Sequence, residues 1–354
     1  MITVIGYDVG GANTKAALLQ IDDGKASIKV ASQYFPIWKT PHLLPQVLLS
    51  LNKQLGAGDL DAIGVTMTAE LSDAYQTKRE GVIHILGSVQ KAYPNSSTYV
   101  LNSDAQLLST EDAENNHLYV SSANWAATGW LIAKHLKNAV VIDVGSTSTS
   151  IIPIVNGKIA AKGKTDLEKL LFGELVYTGS LRTNIAAIVH SVPIRGGVTG
   201  VSSELFATSG DVHLILGHIS AADFSAETAD GRGKTDLEAK ARLSRVICAD
   251  VEMLTDQEIL ELARYIYNQQ IKQVVDRLSR VYRSTKELTA ENLPIVVTGL
   301  GKDFLARKAA ESIGVDRVVD LAEVLPSEAV LATPAVGVAF MAASKILKEP
   351  IRWP

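Results

Sequence analysis

Two stretches of this chain carry residue types that can hold phosphate and magnesium, and the second repeats the first. One is Ile5-Gly6-Tyr7-Asp8-Val9-Gly10-Gly11-Ala12-Asn13-Thr14-Lys15; the other is Val140-Val141-Ile142-Asp143-Val144-Gly145-Ser146-Thr147-Ser148-Thr149-Ser150. Asp, Val, Gly and Thr recur in register. Each copy reads as an apolar strand, an Asp at its end, a glycine-containing turn and a returning strand. Glycine permits positive φ and leaves room for backbone amides to approach a phosphate. Hydroxyl side chains add donors to phosphate oxygens. A carboxylate at the strand end can hold Mg²⁺, which takes oxygen ligands and keeps several waters. Asp8 and Asp143 are therefore the candidate magnesium ligands. Gly10, Gly11, Asn13 and Thr14 form one candidate phosphate cradle, and Gly145, Ser146 and Thr147 the other. Lys15 either supplies a point charge to a phosphate or lies along the strand surface. Two such hairpins, one per domain, are expected to face each other and clamp a polyphosphate.

A third element agrees with these two. Leu293-Pro294-Ile295-Val296-Val297-Thr298-Gly299-Leu300-Gly301 reads as a strand ending in Gly-x-Gly before a helix. Gly299 and Gly301 would allow close backbone approach to a ligand at the strand's C-terminal end. The third glycine of a dinucleotide fingerprint is missing.

The elements that must position these turns alternate between strand and helix, which favours an α/β fold. Strands are expected at 4–7, 15–20, 62–65, 99–101, 118–120, 139–142, 295–298 and 315–319. Thr40-Pro41 and Thr333-Pro334 each read as a helix cap followed by a first-turn proline. Helices are expected from Pro41 to about Gly56, over 81–92 and 124–136, after Gly301, and from Thr333. The clearest helix runs from Thr255 to about Arg283, opened by a Thr255/Glu258 capping box and striped by Ile259, Leu262, Ile266, Val274, Leu278 and Val281. A division near residues 137–139 gives an N-terminal domain, 1–137, and a C-terminal domain, 138–354. The second would carry an inserted subdomain at about 190–250 with a mobile loop around 229–235, and the last helix would pack back on the first domain.

Composition narrows the function classes. The chain has 354 residues, 47% apolar and 20% charged, which is globular composition with ample length for two cores. A net charge of −4 and scattered basic residues give no attraction for nucleic acid or anionic membrane. One cysteine, Cys248, excludes a disulfide framework and a cysteine zinc cluster within the chain, and its apolar neighbours predict that it is buried. The chain runs into a strand at Ile2 with no basic or cleavable segment, and no run nears the ~18 apolar residues of a bilayer span. A cytoplasmic protein is expected. Gly233-Lys234-Thr235 resembles the end of a P-loop, but Thr228 stands where the earlier glycine is required. His213 and His218 lack an acidic partner in a zinc-like frame.

Two Asp-Gly hairpins and a late Gly-x-Gly strand resemble the actin/sugar kinase/Hsp70 superfamily, and within it the hydantoinase A/oxoprolinase branch. The resemblance spans nearly the whole chain and implies two ribonuclease-H-like domains, the actin-like ATPase fold, about a central cleft. Thr68-Ala69-Glu70-Leu71, Ser121-Ser122-Ala123-Asn124-Trp125, Gly179-Ser180-Leu181-Arg182-Thr183, Ser202-Ser203-Glu204-Leu205-Phe206 and the Asp-Gly-Arg-Gly-Lys-Thr loop at 230–235 are similar to a smaller family tied to tetrahydromethanopterin-linked one-carbon metabolism. That resemblance implies a transferase of methanofuran biosynthesis. Such an enzyme joins an aminomethylfuran-methyl diphosphate to the phenol of γ-glutamyltyramine, or a tyrosine analogue, and releases diphosphate. It further implies Asp8, Asp143 and Glu70 as catalytic candidates, with Glu70 as the phenol's base or a helix-entry carboxylate. Arg182 would bind a phosphate or the glutamyl carboxylate, or serve a structural ion pair; Trp125 would stack on an aromatic substrate or fill the core; Glu204 is a further substrate-binding candidate. Mg²⁺ is the implied cofactor, with small-molecule partners only. The rival readings are an ATP-dependent small-molecule kinase or oxoprolinase-like hydrolase, and a nucleotide-binding regulator without catalysis.

Overall fold

The computed structural model describes residues 1–289, 292–330, 332–348 and 351. The first sheet is built from β1 (Ile2–Val9), β2 (Asn13–Asp22), β3 (Lys25–Tyr34), β4 (Ala62–Met67), β5 (Thr98–Leu101) and β6 (Leu107–Leu108), in the order β3-β2-β1-β4-β5-β6. β1 pairs antiparallel with β2 and parallel with β4, and β4 pairs parallel with β5. β1 and β4 are mostly apolar and buried on both faces, as strands covered on both sides are. Their cover includes α1 (Leu44–Leu55) and α2 (Lys78–Ala92); then come α3 (Thr110–Asn115), α4 (His117–Val120) and α5 (Asn124–Ala133).

The second sheet contains β7 (Ala139–Val144), β8 (Thr149–Val155), β9 (Lys158–Ile159) and, after α6 (Asp166–Phe172), β10 (Leu175–Val176). The hairpin β11 (Ser191–Ile194) and β12 (Gly197–Gly200) stands apart from both sheets. After it come α7 (Ser209–Ile215), α8 (Asp236–Arg245), α9 (Asp256–Thr289), β13 (Ile295–Thr298), α10 (Arg307–Ser312), β14 (Val318–Asp320), α11 (Ser327–Val330) and α12 (Thr333–Leu347). The second sheet is ordered β10-β8-β7-β13-β14, with β9 on β8, and β13 lies parallel between β7 and β14. Both sheets thus flank a first strand with its hairpin partner on one side and a parallel strand on the other. This is the ribonuclease-H-like order, and it repeats as the sequence repeat repeats.

By contacts the chain divides into two compact units: Met1–Asn138 with Ile152–Lys169 and Leu321–Pro354, and Ala139–Ile151 with Leu170–Asp320. The division is less contiguous than a single cut near 137–139. Within the first unit, α12 packs on β1, β4 and α5. Within the second, β11, α7, α8 and the first turns of α9 share a satellite core that includes Val192, Val212, Leu243 and Ile266.

Several local expectations change. Leu118–Val120 is helical, not a strand, and Ser121 Oγ closes that turn on the His117 carbonyl at 2.6 Å. So short an apolar run has no period by which to tell strand from helix. Thr40 makes no side-chain cap; Pro41 opens a 3₁₀ turn and α1 starts at Leu44. Lys302–Ala306 forms a π-type turn before α10. The 229–235 loop is tied down: Asp230 pairs with Arg242 at 3.2 Å and Arg245 at 3.1 Å, and Thr235 caps α8. Cys248 is exposed at φ +58°, at a chain reversal just past α8.

Candidate functional site

In the second unit three separated segments converge on the end of β7. Gly145 donates to the Ser148 carbonyl at 2.9 Å and closes the β7–β8 turn. The 179–182 segment is stapled to that turn: Ser180 N–H donates to Gly145 O, and Leu181 and Arg182 N–H to Ser146 O, at 2.9–3.0 Å. Gly179 must be glycine, since a Cβ there would lie 2.6 Å from the Thr147 carbonyl carbon. Arg182, exposed, places Nη1 3.5 Å from Thr147 Oγ1. From β13, Thr298 stands in register with Asp143. Gly299, at φ +85°, passes so close that a Cβ would meet Val144 O at 2.4 Å and Asp143 Oδ1 at 2.6 Å. Gly301 abuts Val144 and Ser180 in the same way. The structure therefore gathers Asp143, Gly145, Ser146, Thr147, Arg182, Gly299 and Gly301, and adds Ser180. Ser180 Oγ is buried with no hydrogen-bond partner among the described residues.

In the first unit Gly10 N–H closes the β1–β2 turn on Asn13 O at 3.0 Å, and residues 35–37 brace its outer side through Ala12 O and Gly11 O. Asp8 is buried, opposite Lys15 on β2 and Thr66 on β4. Lys15 is half-buried on its strand. Thr14 Oγ1 and Thr66 Oγ1 are buried without a hydrogen-bond partner among the described residues. Buried hydroxyls are rarely left so without a ligand or water to satisfy them. Thr66 is an addition; its sequence signal is a polar residue at the end of an otherwise apolar strand.

Glu70 follows β4, whose end bonds back to the hairpin through Thr68 N–H and Val9 O at 2.9 Å. Its side chain has no exposed surface. Ser122, held at φ +52°, donates to Oε1 at 2.7 Å, and Lys78 Nζ lies 3.5 Å from the same oxygen. Lys78 in turn reaches Asp166 at 3.0 Å. Burial pushes the Glu70 carboxyl above the usual carboxylate range, against the opposing pull of Lys78 and Ser122. Lys78, one-fifth exposed, and Asp166 are the outer members of this cluster. A lysine at the first position of a helix opposes the helix dipole, and that was the signal available for it.

The folded-state pKa of Glu70 is raised, so its contribution is complete below the unfolded value and is lost as pH rises through the folded one. Urea midpoints measured from about pH 4.3 upward should therefore fall more for the wild type than for Glu70→Gln. Parallel curves would contradict the raised value.

Two further substrate-contact candidates have surroundings of their own. Trp125 is 3% exposed and carries the Lys169 ammonium 3.9 Å from its ring centroid, so it is a packed core aromatic with that face covered. Glu204 is exposed in a loop that bonds to the end of α8 through Ser202 N–H and Val246 O. Lys234 donates to the Phe224 carbonyl, which gives the Gly-Lys-Thr loop a structural task.

The hydantoinase/oxoprolinase family matches residues 61–345. The (4-{4-[2-(gamma-L-glutamylamino)ethyl]phenoxymethyl}furan-2-yl)methanamine synthase of Methanocaldococcus jannaschii is 36% identical over 342 residues, covering 96% of this chain and 97% of that protein. The Methanococcus vannielii synthase of the same name is 35% identical over 207 residues, 58% of this chain and 90% of that protein. Among solved structures, nucleotide-free acetone carboxylase aligns with a TM-score of 0.56 at 12% identity, over 96% of this chain and 70% of that one, a likeness of fold. The chain belongs to the hydantoinase/oxoprolinase family, in the group that contains these methanamine synthases.

Proposed function

We propose that this chain is the ether-forming transferase of methanofuran biosynthesis. It joins the phenol oxygen of γ-glutamyltyramine to the methyl carbon of an aminomethylfuran-methyl diphosphate. The observation that carries this reading is the match to the Methanocaldococcus jannaschii synthase, 36% identical over nearly the full length of both chains. The product named for that relative contains a phenoxymethyl-furan ether. Forming it makes one carbon–oxygen bond, breaks the bond from the furfuryl carbon to its leaving group, and releases the phenol proton.

Diphosphate suits the residues present. Its charge grows as the carbon–oxygen bond breaks, and donors aimed at the leaving group stabilise that charge. Each unit carries groups of that kind: the 10–14 turn with the buried Thr14 hydroxyl in the first, and the 145–147 and 179–182 turns with the buried Ser180 hydroxyl in the second. Among the described residues no three His, Cys, Asp or Glu side chains gather to form a metal cage. Asp8 in the first unit and Asp143 in the second each suit the looser arrangement in which a carboxylate, water and phosphate oxygens hold magnesium. When bound, magnesium would neutralise leaving-group charge. The furan shares positive charge developing on its methyl carbon. Glu70 has no exposed surface, so in this reading it orients Lys78, whose one-fifth exposed side chain would be the group that meets the phenol oxygen.

Purified protein with Mg²⁺ should release diphosphate only when both substrates are present, with the ether product found by mass. Phosphate release from ATP without the furan donor would instead place the chain among ATP-dependent kinases or hydrolases. Among the described residues no helix is long and apolar enough to cross a membrane, and the proposed substrates are small and water-soluble.

A further inference from the structure

The apolar stripe of α9 has a gap between Ile266 and Val274, and the residue in it is Gln270. Gln270 is fully buried. Its Nε2 donates to Gly179 O and to Thr178 Oγ1, each at 2.9 Å. Both donors being spent, its Oε1 must accept, and it does so from His213 Nε2 at 3.0 Å. With Nε2 protonated and burial holding the ring neutral, His213 Nδ1 is an acceptor. The half-buried His218 lies 3.1 Å away through its own Nδ1, which is then the donor. Every member of the chain His218–His213–Gln270–Gly179 has one permitted direction. The same two histidine rings pack on Phe304, at 4.5 Å and 5.2 Å between centroids, in the turn that follows Gly301.

Gly179 is the residue whose backbone lies against Thr147 and Ser148, and the three amides after it hold the carbonyls of Gly145 and Ser146. We infer that Gln270, oriented by His213, is a positioning residue that sets the 179–182 segment and through it the anion-binding shape of the 145–147 turn. Ser209 Oγ donates to the same Gly179 carbonyl at 2.9 Å, so loss of Gln270 loosens the segment without releasing it entirely. Gln270 touches no ligand itself. The inference rests on the reading of 145–147 and 179–182 as diphosphate-binding turns.

The test uses the full chain and inorganic diphosphate with Mg²⁺, by calorimetry, on wild type and Gln270→Met. Amide hydrogen exchange is read at Ser180, Leu181 and Arg182. The wild type is expected to bind. Gln270→Met, which keeps the side-chain volume, should bind about tenfold more weakly, because three buried partners lose their hydrogen bond to it. Exchange should quicken at 180–182 while the middle of α9 stays protected. Equal affinity in a folded Gln270→Met chain overturns the inference. A wild type that binds no diphosphate overturns the functional reading, and the inference with it. Should Gln270→Met fail to fold, His218→Phe keeps the ring packing and removes only the outer donor. It should weaken diphosphate a few-fold, and unchanged affinity there counts against the inference.

Discussion

Asp143→Ala is expected to cut diphosphate release by about 10²–10³-fold, the range seen when a single charge-stabilising group is taken from a reacting site. The loss should fall mainly on kcat, because leaving-group charge is greatest in the transition state. Gly299→Ala should reproduce most of that loss without removing a charge. Its Cβ would stand 2.6 Å from Asp143 Oδ1 and 2.4 Å from Val144 O, at a φ of +85° that alanine rarely adopts. Either the Asp143 carboxylate or the end of β7 must move. Steady-state diphosphate release, with the two substrates varied in turn, measures both variants. Full turnover in Asp143→Ala would remove this carboxylate from the reaction. Wild-type kcat in Gly299→Ala would show that its placement does not matter.

Gly6→Ala carries the largest expected effect on stability. A Cβ on Gly6 would lie 2.0 Å from Ala335 O and 2.9 Å from Ala339 N, and one on Gly64 would lie 2.6 Å from Val338 O. Both contacts are backbone against backbone, between the central strands of the first sheet and α12, so no side chain can swing aside. Overpacking a core commonly costs ~1–3 kcal/mol. Here a helix must separate from a sheet, and the expected loss is at least about 3 kcal/mol. Gly87→Ala on α2 is the control. Nothing lies within 4 Å of its added Cβ, and it should gain up to about 1 kcal/mol from helix propensity. Urea unfolding of the two variants decides the matter; a Gly6→Ala chain as stable as Gly87→Ala would mean that α12 is not seated on β1 as described.

The close seating of α12 also explains why so much of the first sheet could be read in advance. β1 and β4 are buried on both faces because helices cover both, and a mostly apolar run bounded by turns is plain in sequence. The hairpins were legible for a related reason. Gly10 bonds to Asn13 and Gly145 to Ser148, three residues apart, so each turn is written in its own few residues. The Thr255/Glu258 cap is equally local, and the structure forms it at 2.8 and 3.2 Å. Leu118–Val120 failed because three residues carry no period. Trp125 shows the opposite limit. Its ring chemistry suits a substrate, but only packing decides that Lys169 covers it.

What the amino-acid order determined by itself is the pair of Asp-Gly hairpins and the strands that lead into them, since each turn depends on contacts a few residues apart. What the tertiary structure alone decided is which distant groups complete each turn. Lys78 meets Asp166 across 88 positions and Gln270 meets Gly179 across 91. Such pairs leave no spacing rule in the chain, because chain separation does not set which side chains folding brings together.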